Sequence, residues 1–341
     1  MRFGSNPHTL EAVPPYTPKD VTLAVLVYIP HLTGYFEHKF DILKISIASI
    51  LKHTDVPYDL LVFDNGSCSE VIQYLLDLRE SGVVQYLILS KTNLGVLGAY
   101  NVIFSAAPGR YIAYSDDDIL FYPGWLREEL HILDTFPRVG MVSGLPTWQN
   151  FSKYTRSTLE VAGVDPSITV ERSKGWPRDW VEDYCESIGW DVEGFISMCK
   201  DRDIVKLNRD GVSAFGTSTH CQFVTTKSAV SSILPIDPGG KTIANVAEFD
   251  KKLDSAEFMR LSTVRPYVQH MGNTVSMRVR LLVAQYGLNS VLPEVRKPTI
   301  LSPAVAWLLR RTKVRNLLRR VYGKTFKWMT IAEGKWGESR K

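Results

Sequence analysis

Asp116, Asp117 and Asp118 stand side by side in the stretch YIAYSDDDILFYPGW, at the end of an apolar, aromatic-rich run of strand length. Pro123-Gly124 then turns the chain into a new amphipathic segment. Three carboxylates at a strand end concentrate negative charge on one edge of a sheet. They repel one another unless a cation sits among them, and hard oxygen ligands of this kind suit Mg²⁺ or Mn²⁺ better than zinc. The bland alternative is a solvated acidic turn, because Asp is also a common turn and N-cap residue. Two more polar clusters close other apolar runs: Asp64-Asn65-Gly66-Ser67 and His270-Met271-Gly272-Asn273.

Each cluster needs an element to hold it. Val21 to Tyr28 (VTLAVLVY) is a continuous apolar, β-branched run that predicts a buried central strand, ended by Ile29-Pro30. Leu43, Ile47, Ile50 and Leu51 recur at helical spacing and predict a helix with one apolar face. Tyr58 to Phe63 is a second buried strand, Ile72, Leu75 and Leu76 mark a second helix, and Val83 to Leu89 is a third strand. Asn93-Leu94-Gly95 and Gly98 open a third helix through Phe104, and Tyr111 to Tyr114 is the strand that delivers the three Asp. Strands alternating with helices at this spacing imply βαβ units and a mostly parallel sheet covered on both faces. Ligands bind such sheets at the carboxyl ends of the strands. Right-handed crossovers would bring Ile29-Pro30, the Asp64 cluster and the three Asp to one rim.

Beyond a further strand at Val139 to Ser143 the pattern loosens. Residues 146–210 mix Trp148, Tyr154, Trp176, Trp180, Tyr184 and Trp190 with many charges and no sustained period, which suits either binding loops that stack on sugar rings or plain core. Cys221 to Thr225 is a strand, Val246 to Ala256 a helix, and Phe258 to Leu261 and Tyr267 to Gln269 short strands. From Ala304 to Met329 the chain holds eight Lys and Arg, with Trp307 and Trp328 and no acidic residue; its apolar stripe changes phase near Thr312. This predicts two short basic amphipathic helices, or one kinked helix, of the kind that lies on an anionic membrane surface; the alternative is a solvated helix packed on the domain.

Composition bounds the answer further. At 341 residues, 45% hydrophobic and 22% charged, the chain has room for one large or two modest domains. A net charge of +4 argues against a dedicated nucleic-acid binder. Cys68, Cys185, Cys199 and Cys221 form no CxxC pair, so neither a zinc ribbon nor a disulfide framework is expected, and a reducing cytoplasm is the simplest home. No run approaches the roughly 20 apolar residues of a membrane span, and Pro and charge stand where a signal peptide needs an apolar core.

With these motifs laid out, the chain resembles glycosyltransferase family 2, enzymes of the GT-A fold that use nucleotide-sugar donors. The ordered set is a buried first strand, DNGS at Asp64 to Ser67, TNLGVLGAYN at Thr92 to Asn101, and YSDDDILFYPGWL at Tyr114 to Leu126. The resemblance implies an α/β GT-A fold: a Rossmann-like, mostly parallel sheet flanked by helices. It implies a nucleotide-sugar-binding half over 21–145 and an acceptor-binding half over 146–280, while composition marks a Pro-rich, polar lead-in over 1–20 and a basic helical extension over 281–341. It also assigns roles. Tyr28, Ile29 and Pro30 would border the base pocket, Asp64 would bond the base or ribose, and Asn93 and Gly95 would lie on the loop closing over the nucleotide. Asp116 and Asp118 match the DxD pair, with Asp117 between them at the donor, and His270 stands where many GT-A enzymes supply a further metal ligand. The metal would be Mn²⁺ or Mg²⁺.

The family's acceptor half usually carries an adjacent Glu-Asp at a helix start, with the Asp as catalytic base. This chain reads Ala247-Glu248-Phe249-Asp250-Lys251-Lys252-Leu253-Asp254 instead, which leaves Asp250, Glu248 and Asp254 as candidates in that order. The reaction so implied is inverting transfer of a sugar to a hydroxyl of a glycan or glycolipid, in surface polysaccharide assembly, by a protein peripheral on the inner face of the membrane. The rivals are a catalytically silent sugar-nucleotide-binding module and a sugar-phosphate nucleotidyltransferase. The latter would want a Gly-rich, Arg-containing loop where this chain has Ile29-Pro30-His31-Leu32-Thr33-Gly34. No GxGxxG follows the first strand, which disfavours a dinucleotide-dependent oxidoreductase.

Overall fold

The computed structural model describes Gly4, Asn6 and residues 17–151, 153–238 and 246–293. The chain separates into a compact unit, Met1–Leu292, and a second unit, Pro293–Lys341. The basic stretch from Ala304 to Met329 lies outside the described residues.

In chain order the elements are β1 (Val21–Val27), α1 (Lys39–His53), β2 (Tyr58–Asp64), α2 (Ser69–Glu80), β3 (Tyr86–Leu89), α3 (Gly95–Ala106), β4 (Tyr111–Asp116), β5 (Ile119–Phe121), α4 (Trp125–Thr135) and β6 (Val139–Ser143). They continue with α5 (Arg156–Val164), β7 (Thr169–Ser173), α6 (Arg178–Ile188), α7 (Val192–Cys199), β8 (Ile204–Arg209), β9 (Val212–Phe215) and β10 (Gln222–Thr226). The last are α8 (Lys227–Ile233), α9 (Ala247–Ser255), β11 (Met259–Ser262), β12 (Val268–His270) and α10 (Met277–Gln285). Ten strands form one sheet in the order β3-β2-β1-β4-β10-β6-β11-β9-β8-β7. It is parallel from β3 to β4, as the βαβ spacing implies, and mixed beyond, where β10 runs antiparallel between β4 and β6.

Alternation along β1 explains its unbroken apolar run. Val21, Leu23, Val25 and Val27 pack on one face with Leu43, Ile47 and Ile50 of α1, whereas Ala24 and Leu26 pack on the other with Leu97, Tyr100, Ile103 and Phe104 of α3. A second side of α1, Ile42 and Ile45, meets Leu120 of β5 and Val279 and Val283 of α10. Leu51, expected on the apolar face, is 45% exposed. Residues 146–210 are more regular than their sequence suggests, since they contain two helices and a hairpin after α5. Trp148 is buried, Trp176 packs on Trp180 and Phe215, and Trp190 alone among the tryptophans there is exposed.

One core position carries a pH-dependent cost. Glu129 of α4 is fully buried and accepts hydrogen bonds from Gln222 Nε2 at 3.0 and 2.8 Å. Burial pushes its carboxyl well above the ordinary value, against the lowering effect of Gln222. The folded state therefore holds the proton more tightly than the unfolded one, so stability falls as pH rises past the unfolded value. Glu129→Gln is expected to raise the melting temperature at pH 8 by about 2 °C or more and to matter less at pH 5, read by thermal denaturation at both. An equal shift at the two pH values would contradict a charged-form penalty.

Candidate functional site

The carboxyl ends of β1, β2 and β4 are tied into one rim. Asn65 N–H donates to the Val27 carbonyl (2.8 Å), Ile29 N–H to Ser67 Oγ (2.9 Å) and Tyr28 N–H to Asp117 Oδ2 (3.2 Å). Because β10 is antiparallel to β4, its first residues meet the same edge, and Asp116 N–H donates to the Cys221 carbonyl (2.8 Å). A two-stranded ribbon completes the rim. β12 pairs with β5, setting His270 opposite Ile119, and Met271 N–H donates to the Asp118 carbonyl (2.8 Å).

These ends enclose a cleft of about 700 Å³. Tyr28, Asp116, Asp117, Asp118 and His270 all border it, together with Lys39, the first residue of α1. Lys39 is buried and its Nζ donates to Asp117 Oδ1 (2.5 Å) and Asp118 Oδ2 (3.0 Å). His270 Nε2 stands 3.5 Å from the same Asp118 oxygen, while its Nδ1 meets Ser187 Oγ at 3.0 Å. Tyr114 Oη donates to Asp116 Oδ1 (2.5 Å). Asp118 Oδ1 is buried without a hydrogen-bond partner.

The electrostatics follow from this arrangement. Burial, reinforced by the charge of Asp118, pushes the Asp116 carboxyl well above the ordinary value. Burial also raises Asp117 in spite of Lys39. Burial works in the same direction on Asp118, but there Lys39 and His270 together outweigh it and hold the carboxyl low. Lys39 is pushed down by burial and lifted further by the two carboxylates, so it stays an ammonium.

The other expected residues take different places. Asp64 is fully buried and caps its own turn, accepting from Gly66 N–H (3.1 Å) and Ser67 N–H (3.1 Å). Gly66 supplies the positive φ of 94° that this turn requires. Asn93 fastens the start of α3 to the rim, its Oδ1 accepting from Asn65 Nδ2 (3.0 Å) and Gly95 N–H (2.7 Å). Ile29 is buried beneath the rim. Asp64, Asn93, Gly95, Ile29 and Pro30 support the cleft without bordering it; Val96 and Tyr100 are the α3 residues that reach it.

The three carboxylates of α9 separate cleanly. Phe249 seats the helix against Tyr100 and Phe223, with ring centroids 5.2 and 5.3 Å away, and this turns Asp250 inward and Glu248 outward. Glu248 pairs with Lys251 at the surface (3.2 Å). Asp254 binds the start of α5, accepting from the Ser157 N–H and hydroxyl, both at 2.9 Å. Asp250 is buried against the guanidinium of Arg260 (3.1 Å), and its other oxygen is unpartnered. His220, which sequence reasoning missed, borders the cleft with its Nδ1 3.6 Å from Asp250 Oδ2. Among the described residues, no group of three or more His, Cys, Asp or Glu converges as a preformed metal centre.

A parallel half-sheet with a cleft at its carboxyl edge, closed by an acid-bearing strand and a returning ribbon, defines an α/β protein whose candidate site lies at the strand ends. Residues 34–181 match the family model described as Glycosyl transferase family 2. It is 27% identical over 100 residues to an uncharacterized glycosyltransferase of Nostoc sp., covering 29% of this chain and 31% of that protein. It is 32% identical over 97 residues to the bifunctional glycosyltransferase pgtA of Dictyostelium discoideum, covering 27% and 13%. The matched stretch thus spans less than a third of the length of these relatives. Among solved structures it is similar to GalNAc-T7 with UDP, GalNAc and Mn²⁺, at 13% identity and TM-score 0.48, over 75% of this chain and 44% of that one. It is also similar to the mannosyltransferase PcManGT of Pyrobaculum calidifontis with GDP-Man and Mn²⁺, at 22% identity and TM-score 0.31, over 46% and 45%.

Proposed function

We propose that this chain is an inverting glycosyltransferase, moving a sugar from a nucleoside-diphosphate sugar to a hydroxyl of a glycan or glycolipid acceptor. The observation that carries the reading is that Asp116 and Asp118, within the segment matching family 2, share one cleft with His270, which is distant from them in sequence. Mg²⁺ and Mn²⁺ are usually held by one or two carboxylates plus substrate phosphates and water, so a full protein cage is not needed. The unpartnered, buried oxygen of Asp118 fits that description. Asp116, Asp118 and His270 would hold the ion. When bound, it neutralises the charge that builds on the departing diphosphate.

Tyr28 and Val96, the latter in the first turn of α3, supply walls for the nucleoside. Opposite the diphosphate, the His220 and Asp250 pair takes the proton of the attacking hydroxyl. Asp250 Oδ1 is too deeply buried to meet an acceptor, whereas His220 borders the cleft. Imidazole receives the proton, and the charge of the carboxylate 3.6 Å behind it stabilises the cation formed, a contribution of about 10²–10⁴-fold. One base and in-line attack invert the anomeric centre.

A thermal-shift screen of UDP-, GDP- and dTDP-sugars with Mn²⁺, followed by donor hydrolysis, tests the function. Stabilisation by at least one donor with slow metal-dependent hydrolysis is expected. Stabilisation without turnover would favour the silent module, and no response to any donor would overturn the reading. The basic sequence from Ala304 to Met329 further suggests attachment to an anionic membrane face, where glycolipid acceptors reside. Deleting residues 303–341 should reduce sedimentation with anionic liposomes, and equal recovery would remove the membrane proposal.

A further inference from the structure

Lys39 is an odd residue to open a helix. A cation there opposes the positive end of the helix dipole, and α1 itself gains nothing from it. Burial adds to the cost, since a lysine is rarely withdrawn from water unless paired. The compensation comes from across the cleft rim, where Asp117 and Asp118 each accept one of its protons, at 2.5 and 3.0 Å. An ammonium has three donors, so one N–H remains, on a side chain that borders the cleft. Asp118 meanwhile divides its two oxygens: Oδ2 faces Lys39 and His270, and Oδ1 is buried without a partner.

We propose that Lys39 is a built-in cation of the diphosphate site. It offsets part of the charge of the acidic cluster, gives its remaining N–H to a diphosphate oxygen, and competes with a divalent ion for Asp118. Two consequences follow from the charge and the remaining donor of Lys39. A nucleoside diphosphate is still attracted to the cleft when divalent metal is removed, because a positive group is already in place beside it. A divalent ion binds less tightly than two buried carboxylates would otherwise hold it, because the ammonium shares them. The inference rests on the nucleotide-sugar reading only for its diphosphate half; the competition for Asp118 concerns the cation alone.

The test compares the unaltered chain with Lys39→Met, which keeps the length and removes the charge, and Lys39→Arg, which keeps the charge. Mn²⁺ alone is titrated and followed by electron paramagnetic resonance. Lys39→Met is expected to bind Mn²⁺ about tenfold more tightly than the unaltered chain, and Lys39→Arg about the same as it. UDP and GDP are then titrated calorimetrically in EDTA. The unaltered chain is expected to bind one of them within about tenfold of its affinity in Mn²⁺, and Lys39→Met only when Mn²⁺ is present. Equal Mn²⁺ affinity in Lys39→Met and the unaltered chain would overturn the competition. Complete loss of nucleotide binding by the unaltered chain in EDTA would overturn the diphosphate contact. If neither nucleotide binds under any condition, the nucleotide-sugar reading fails, and the Mn²⁺ titration still decides the role of Lys39 at Asp118. Should Lys39→Met not fold, the double variant Lys39→Met with Asp117→Asn removes one charge of each sign and carries the same Mn²⁺ comparison against Asp117→Asn.

Discussion

Replacing Asp118 by alanine should abolish the metal-dependent part of donor binding. Asp118 is the one member of the acidic cluster that carries both a free buried oxygen and contacts to the two nitrogen partners, Lys39 and His270. Without it a divalent ion loses its best-placed oxygen, and His270 loses the carboxylate beside it. Lys39 keeps Asp117, so the variant is not left with a bare buried charge, and a stability loss of about 1–3 kcal/mol is expected rather than unfolding. Calorimetric titration of the responding nucleotide sugar with and without Mn²⁺ measures the effect. The Mn²⁺-dependent gain in affinity should vanish in Asp118→Ala, and its survival would remove the metal role from this carboxylate. Asp118→Asn, which keeps the shape, should behave like the alanine variant because charge is what is lost.

The second large effect is expected at α9. Asp250→Asn should leave donor affinity within about twofold and reduce transfer by roughly 10²–10⁴-fold. The amide can no longer stabilise an imidazolium at His220, although it can still lie against Arg260, whose guanidinium also donates to the Lys153, Tyr154 and Ser218 carbonyls. His220→Ala should produce a similar loss, and the double variant little more than either, since two groups acting on one proton are not additive. Glu248→Gln should change little, because Glu248 is spent on Lys251 at the surface. Single-turnover transfer rates beside donor affinities separate these cases. Full turnover by Asp250→Asn would place the base elsewhere.

The parallel half of the sheet was legible because physics writes it plainly. A strand covered on both faces is apolar over most of its length, as the runs at β1, β2 and β4 are apart from Thr22, Asp59 and the polar strand ends. The third strand shows where such reasoning slips. Val83 and Val84 are apolar enough to extend it, but their N–H groups are taken by the Leu78 carbonyl at the end of α2, so pairing starts only at Tyr86. Between 146 and 210 the signal was too sparse to find. α6 buries only Val181 and Cys185, α7 only Phe195 and Cys199, and β7 is exposed along its whole length at the sheet edge.

The acidic strand end is read from its residues and His270 from the family resemblance; Lys39 and His220, which border the same cleft, are read from neither. Lys39 and His220 reach the cleft through topology: the helix after β1 begins at the carboxyl edge, and an antiparallel β10 begins there too. A lysine at the wrong end of a helix dipole was the available hint for the first. For His220 the sequence offers none, since nothing in Thr219-His220-Cys221 shows that β10 will run antiparallel to β4. Asp64 has local partners that its sequence position does not reveal. A buried carboxylate at a strand end can be consumed by its own turn, and here Gly66 and Ser67 take both oxygens.

The most direct measurement is diffraction at the manganese absorption edge from crystals soaked with Mn²⁺ and the nucleoside diphosphate that binds. An anomalous peak within coordination distance of Asp118 and of a phosphate oxygen is expected, with the nucleoside between Tyr28 and Val96. Nucleotide bound elsewhere, or an ion held away from the end of β4, would contradict the assignment of this cleft.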